Sequence, residues 1–260
     1  MNLDWTKPLE EIVRRLRDPE KGCMWDKQQT SDSLIPAFIE EIYELKEAVE
    51  QKQREAISEE LGDLLLHTIF QIQLAEQFKI TKEEIVANIC EKLVRRHPHV
   101  FSDTKVNSVD TIYKNWEQIK RTEKTERDSV LDGIPQSMPA LMIAEKLQKK
   151  AKNVGFDWLD VQDVIAKVEE ELAEVKEAVA LKQSAHIEEE LGDLLFVVVN
   201  LARFLKMDAE QTLRKANRKF QRRFQAIETI LKTQEKTFED TSFNELDQLW
   251  TRVKNEEKNA

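Results

Sequence analysis

The chain has 260 residues, of which 5 are Gly and 6 are Pro, about 4% together against roughly 12% in average usage. Sandwiches, barrels and doubly wound sheets spend such residues on a turn about every 8 to 12 positions, so their scarcity excludes most of those folds and predicts a helical protein. A net charge of −10, from 50 acidic and 40 basic residues, argues against direct binding of a nucleic-acid backbone, which needs a positive field.

Charged residues at 35% and hydrophobic ones at 40% suit helices that each bury one face. The first 25 residues hold no apolar core of signal-peptide length, and the longest apolar run, Leu194 to Val199, is far short of the roughly 20 residues of a membrane span. A soluble, cytoplasmic protein is the expectation, with no membrane partner. Cys23 and Cys90 sit in no CxxC pair, so neither a disulfide framework nor a cysteine zinc site is indicated.

In chain order, Gly22-x-x-Trp25 comes first, then EEIYELKEAV at 40–49 and EELGDLL at 59–65. Lys92 and Arg96 follow, then Ser108 to Lys120 with Trp116-x-x-x-Lys120. The same series then recurs as Gly155-x-x-Trp158, EELAEVKEAV at 170–179, EELGDLL at 189–195, Lys219 with Arg223, and Trp250-x-x-x-Lys254. The two acidic blocks repeat at one offset, 130, with no insertion between them. Two copies of one domain are predicted, at 1–120 and 138–260, joined by a linker at 121–137 whose Asp132-Gly133-Ile134-Pro135 is the strongest turn signal.

Within the second copy, Ile165, Val168, Leu172, Val175 and Val179 recur at helical steps, as do Ile187, Leu191, Leu194, Leu195 and Val198. The polar stretch 180–185 is a short connection, so the unit is an antiparallel helical hairpin. Further helices are predicted from about Ala209 to Leu231 and, after Ser242 as N-cap, to about Val253.

Each hairpin carries E-x-x-E on its first helix and E-x-x-D on its second: Glu41, Glu44, Glu60 and Asp63, then Glu171, Glu174, Glu190 and Asp193. Residues three apart share a helix face. Glu41 and Asp63 lie equally far from Lys52, as do Glu44 and Glu60, and the second copy repeats this around Lys182. Four carboxylates should therefore converge twice. A solvated acidic face held by ion pairs is the plainer account, yet of the eight acids only Glu171 has a cation at helical spacing, Lys167. At an effective dielectric of about 20 each close like-charge pair costs roughly 4 kcal/mol, so four converging carboxylates would cost on the order of 20 kcal/mol without protons or a cation.

An all-carboxylate site suits a hard cation, Mg²⁺ or Mn²⁺, rather than zinc. Di-iron bundles need Glu-x-x-His, and no histidine here has a Glu three residues before it. Gly62 and Gly192, inside the second helix, have two readings: close helix packing, or access for a metal or ligand. Such a magnesium site suits a phosphorylated substrate. Lys219 and Arg223 share a face, with Arg222 adjacent, and could bind its phosphates; Trp250 with Lys254 could stack a base and hold a phosphate, or belong to the core. There is neither a P-loop nor a GxGxxG, so any nucleotide is held by side chains and metal. Two other classes stay open: a helical nucleotide- or protein-binding scaffold without chemistry, and another metal-dependent phosphohydrolase, the latter weakened by the absence of any His-Asp dipeptide.

The EExxE and ELGDLL blocks, Arg95 to Phe101 (RRHPHVF), the linker DGIPQSMPAL and Lys149 to Trp158 (KKAKNVGFDW) together resemble the MazG family over essentially the whole chain. That resemblance implies an all-α fold in two tandem copies, with helical hairpins pairing into four-helix bundles, normally by homodimerisation. It implies Mg²⁺-dependent hydrolysis of ribo- and deoxyribonucleoside triphosphates to the monophosphate and pyrophosphate. It also implies Glu171, Glu174, Glu190 and Asp193 as metal ligands, with Glu41, Glu44, Glu60 and Asp63 as a second set. Substrate would be held by Glu170, Glu189, Lys219, Arg222, Arg223, Trp250 and Lys254. Lys167, a turn before Glu171, could reach a phosphate where the first copy has Ala37, so the second copy is expected to carry most of the activity.

Overall fold

A computed structural model of the chain describes residues 5–102, 106–123 and 128–259. These residues form α-helices and one 3-10 turn, with no strand among them. The chain divides into two units, 1–125 and 126–260.

In the first unit α1 (Lys7–Leu16) and α2 (Met24–Gln28) lead into the hairpin of α3 (Ser31–Gln51) and α4 (Arg54–Ala75), followed by α5 (Lys82–Arg96), α6 (Pro98–Phe101) and α7 (Val109–Thr122). Thr30 starts α3 with a reciprocal cap: its Oγ1 accepts from the Ser33 amide at 3.1 Å, and Ser33 Oγ accepts from the Thr30 amide at 2.9 Å. Val13 of α1 packs with Leu34, Ile69, Phe70 and Leu74 of the hairpin into one buried cluster.

The second unit repeats the plan with α8 (Ala140–Lys152), α9 (Val161–Leu181), α10 (Ser184–Phe204), α11 (Ala209–Thr233) and α12 (Phe243–Asn259). Asp160 caps α9 through the Gln162 amide at 2.7 Å, and Asp208 caps α11 through the Gln211 amide at 2.9 Å. Helix α8 lies against α10, and α11 packs on α12 around Ile227, Leu231 and Val253.

Both hairpins turn on a lysine in the left-handed region, Lys52 at φ 56° and Lys182 at φ 54°. These are the positions about which the acids are symmetric in sequence. The connection is tighter than the stretch 180–185: helix runs to Leu181 and resumes at Ser184. Gly155, at φ +90°, needs glycine's conformational freedom, and Gly22 needs its size, since a Cβ there would stand 2.4 Å from the Leu16 carbonyl oxygen.

The apolar pattern is wider than one buried stripe. On α9 the buried positions are Val164, Glu171 and Ala178, seven apart, whereas Leu172 and Val179 are exposed. On α10 Val197 and Val199 are buried while Leu191, Leu195, Phe196 and Val198 are exposed. Both helices of the second hairpin thus carry a second, outward apolar strip.

Candidate metal centre

The acidic residues sit on the seam of each hairpin because the buried stripe passes through them. Leu34, Glu41 and Ala48 of α3 repeat the seven-residue spacing of Val164, Glu171 and Ala178, so a carboxylate takes the middle place of an otherwise apolar row. The facing helix supplies the rest. Glu41, Glu60 and Asp63 bring oxygens within 4.8 Å of one another, and Glu171, Glu190 and Asp193 do the same. Glu44 and Glu174 lie one turn nearer the connection, outside these closest groups but still felt: burial first, then the charges of Glu171 and Glu190, raise the Glu174 carboxyl above its ordinary range.

The two centres balance their charge differently. In the first, burial, followed by Asp63 and Glu44, pushes Glu41 up to about 7, and burial, followed by Glu44, raises Glu60. In the second, Lys167 donates to Glu170 at 2.7 Å and Glu171 Oε1 at 2.8 Å, and these two carboxylates raise the lysine well above its usual range. Lys167, expected to reach a phosphate, therefore spends two of its three donors on these carboxylates. Glu171 is only 6% exposed, and its Oε2 is buried with no hydrogen-bond partner among the described residues. A buried, unpartnered carboxylate oxygen beside two further carboxylates is a donor set that a hard dication fits.

Metal-free, the first centre should make the protein less stable as pH rises. Glu41 keeps its proton up to about 7 when folded and about 4.5 when unfolded, so the folded state binds the extra proton between those values and stability falls across that window. Glu41→Gln should therefore melt above the parent at pH 8 in EDTA and level with it near pH 4.5. Equal melting at pH 8 would contradict this account.

Two histidines join the centres unannounced by any Glu-x-x-His. His67 Nε2 lies 3.9 Å from Glu41, its ring stacked on Phe38 at 5.5 Å, and its Nδ1 is buried without a partner among the described residues. His186 Nδ1 lies 3.2 Å from Glu190 and 3.7 Å from Glu189. The signal was present at four-residue spacing, Asp63 to His67 and His186 to Glu190. Glu170 and Glu189 themselves are largely exposed and stand beside the second centre, outside its closest group of three.

The cationic residues gather elsewhere, on α11 and α12. Arg222 and Arg223 pair with Glu257 at 2.8 and 2.7 Å, and the Arg223 guanidinium lies 5.6 Å from the Trp250 ring. Trp250 also contacts Phe220 at 5.2 Å and packs on the cluster of Ile227, Leu231 and Val253, so it is part of a core as well as a candidate platform. Lys219 and Lys254 have no ion pair among the described residues, and no hydrogen bond or ion pair among those residues ties this group to the carboxylates of α9 and α10. Glycines 62 and 192 face open space, since a Cβ at either meets nothing within 4 Å. Close packing inside the chain is not their explanation.

Two tandem all-α units, each with three carboxylates drawn together on a hairpin seam, define a helical protein with paired candidate centres for a hard cation. The MazG nucleotide pyrophosphohydrolase domain matches residues 29–101 and 160–227, and each match takes in one acidic hairpin. The chain is 46% identical over 248 residues to the nucleoside triphosphate pyrophosphohydrolase/pyrophosphatase MazG of Thermotoga maritima, covering 95% of this chain and 94% of that protein. It is 43% identical over 254 residues to the nucleoside triphosphate pyrophosphohydrolase of Escherichia coli K12, covering 96% and 97%. An uncharacterized Bacillus subtilis protein, YabN, is 44% identical over 255 residues, covering 97% of this chain and 52% of that one. The chain belongs to the MazG family. No helix among the described residues is long and apolar enough to cross a membrane.

Proposed function

We propose that this chain hydrolyses nucleoside triphosphates, ribo- and deoxyribo-, between the α- and β-phosphates, releasing the nucleoside monophosphate and pyrophosphate, chiefly in its second unit. The observation that carries this reading is the buried Glu171 carboxylate, with Glu190 and Asp193 close by and one oxygen unpartnered, in a chain of the MazG family. Glu171, Glu190 and Asp193 hold Mg²⁺, or Mn²⁺ in its place, with Glu174 adjacent. When bound, the ion compensates the charge of the triphosphate and lowers the pKa of a water. Lys167 pairs with Glu171 and orients its carboxylate, a service that Ala37 cannot give Glu41 in the first unit. Lys219, Arg222 and Arg223 receive phosphate oxygens, and Trp250 with Lys254 borders the nucleoside.

The exposed apolar strip of the α9–α10 hairpin, with Leu172, Leu191, Leu195 and Val198, supports homodimerisation into a four-helix bundle, which would cover it. Mg²⁺ at ten times its dissociation constant stabilises a binding state by about 1.4 kcal/mol. For the second unit that is a rise of roughly 5 °C in melting temperature. The parent should show that rise and Asp193→Ala should lack it. No rise in the parent would favour a non-catalytic scaffold.

A further inference from the structure

Arg222 and Arg223 of α11 share the carboxylate of Glu257 on α12 through one nitrogen each. Arg222 Nε donates to Oε1 at 2.8 Å, and Arg223 Nε donates to Oε2 at 2.7 Å. A guanidinium has five N–H donors, so four remain on the Nη atoms of each arginine. Those atoms make no hydrogen bond among the described residues. Nor are the Nη atoms of Arg223 sealed from solvent, although its side chain is only 12% exposed and its guanidinium is held over Trp250. Both arginines are thus anchored at Nε and present their Nη ends.

The first unit builds the same group from Arg95, Arg96, Glu123 and Trp116, with Arg96 5.5 Å from the indole. There Glu123 takes both Nε and Nη2 of Arg96, so the carboxylate closes over the side of the guanidinium that Glu257 leaves open on Arg223. In sequence the two glutamates follow the two W-x-x-x-K motifs at the same distance, three residues past Lys120 and Lys254.

We propose that Glu257 is a positioning residue for substrate binding: it fixes the Arg222–Arg223 pair through Nε and aims their Nη donors at the phosphate chain of the nucleotide. The proposal rests on the phosphate-binding role given above to these arginines. A planar fork with its Nη hydrogens unspent matches the paired oxygens of a phosphate, and holding two such forks side by side suits a run of phosphates rather than a single charge. A carboxylate that merely occupied the phosphate site would sit across the Nη atoms, and Glu257 does not.

The test is steady-state hydrolysis of ATP with Mg²⁺, together with inhibition by inorganic tripolyphosphate, for Glu257→Gln, Glu257→Asp, Arg223→Ala and the Glu257→Gln/Arg223→Ala double variant. Glu257→Gln should raise KM and the tripolyphosphate inhibition constant about tenfold, the scale of losing one charged hydrogen bond, with kcat within about twofold. Glu257→Asp, which keeps the charge, should fall between, and the double variant should be no worse than Arg223→Ala alone. A lower KM in Glu257→Gln would make the carboxylate a competitor of phosphate and overturn the proposal. So would an unchanged KM accompanied only by a lower melting temperature, which marks a structural brace. If Arg223→Ala also left KM and the inhibition constant unchanged, the phosphate-binding role of α11 would fall with it. If Arg223→Ala weakened binding and Glu257→Gln did not, only the positioning role would.

Discussion

Asp193→Ala should lower ATP hydrolysis about a thousandfold, the kinetic equivalent of several kcal/mol of lost metal-centred stabilisation, while Asp63→Ala leaves it within about twofold. The asymmetry comes from what surrounds two otherwise matching carboxylate groups. In the second unit Lys167 bridges Glu170 and Glu171, so a cation already offsets part of the acidic charge, and the buried Glu171 keeps one oxygen unpartnered. In the first, Ala37 stands where that lysine would be, and Glu41 titrates near 7. Filling the first centre with a dication therefore displaces a proton at neutral pH, which weakens binding there. Initial rates at saturating Mg²⁺ measure the effect, and the reverse pattern, loss in Asp63→Ala alone, would place the chemistry in the first unit.

A second large effect is expected far from the carboxylates. Arg203 of α10, a buried side chain, pairs with Asp157 and donates to Asn200 Oδ1 at 2.6 Å, tying the loop before α9 to the hairpin. Asp157→Ala leaves that guanidinium buried and unpaired by a carboxylate, and should destabilise the second unit by about 3 kcal/mol. Adding Arg203→Leu should recover at least half, because an apolar side chain carries no desolvation cost. Burial alone would raise the Asp157 carboxyl, but the Arg203 hydrogen bond and charge outweigh it and hold it below 3.8. Its contribution is thus complete above about pH 4 and lost as pH falls further. Hydrogen exchange along α10 reads this directly, and a double variant no more stable than Asp157→Ala would contradict it.

The hairpins were legible because two independent signals coincided, the 130-residue offset and the equal spacing of acids about Lys52 and Lys182. The same spacing centred each turn on its lysine; the left-handed backbone there was not legible, since a lysine carries none of glycine's signal. Periodicity also pointed to Leu172, Val179 and Leu191 as the helical strip, whereas these face outward and the seam runs through Val164, Glu171 and Ala178. A stripe whose middle member is a carboxylate does not look apolar in sequence, yet that misfit is what buries Glu171. Of the four acids expected to converge in each copy, three gather most closely, and Glu44 or Glu174, one turn along the same helix, interacts directly with Glu41 or Glu171. Pairings that join separate helices left weaker traces. Glu257 lay three residues past the repeated W-x-x-x-K, at the same offset as Glu123, and Arg203 with Asp157 lay 46 residues apart with no periodicity to link them.

The reaction itself is tested most directly by separating the products of ATP and Mg²⁺ incubated with the full chain. AMP and pyrophosphate are expected in equal amounts, and both should be lost in Asp193→Ala. ADP and inorganic phosphate would contradict it.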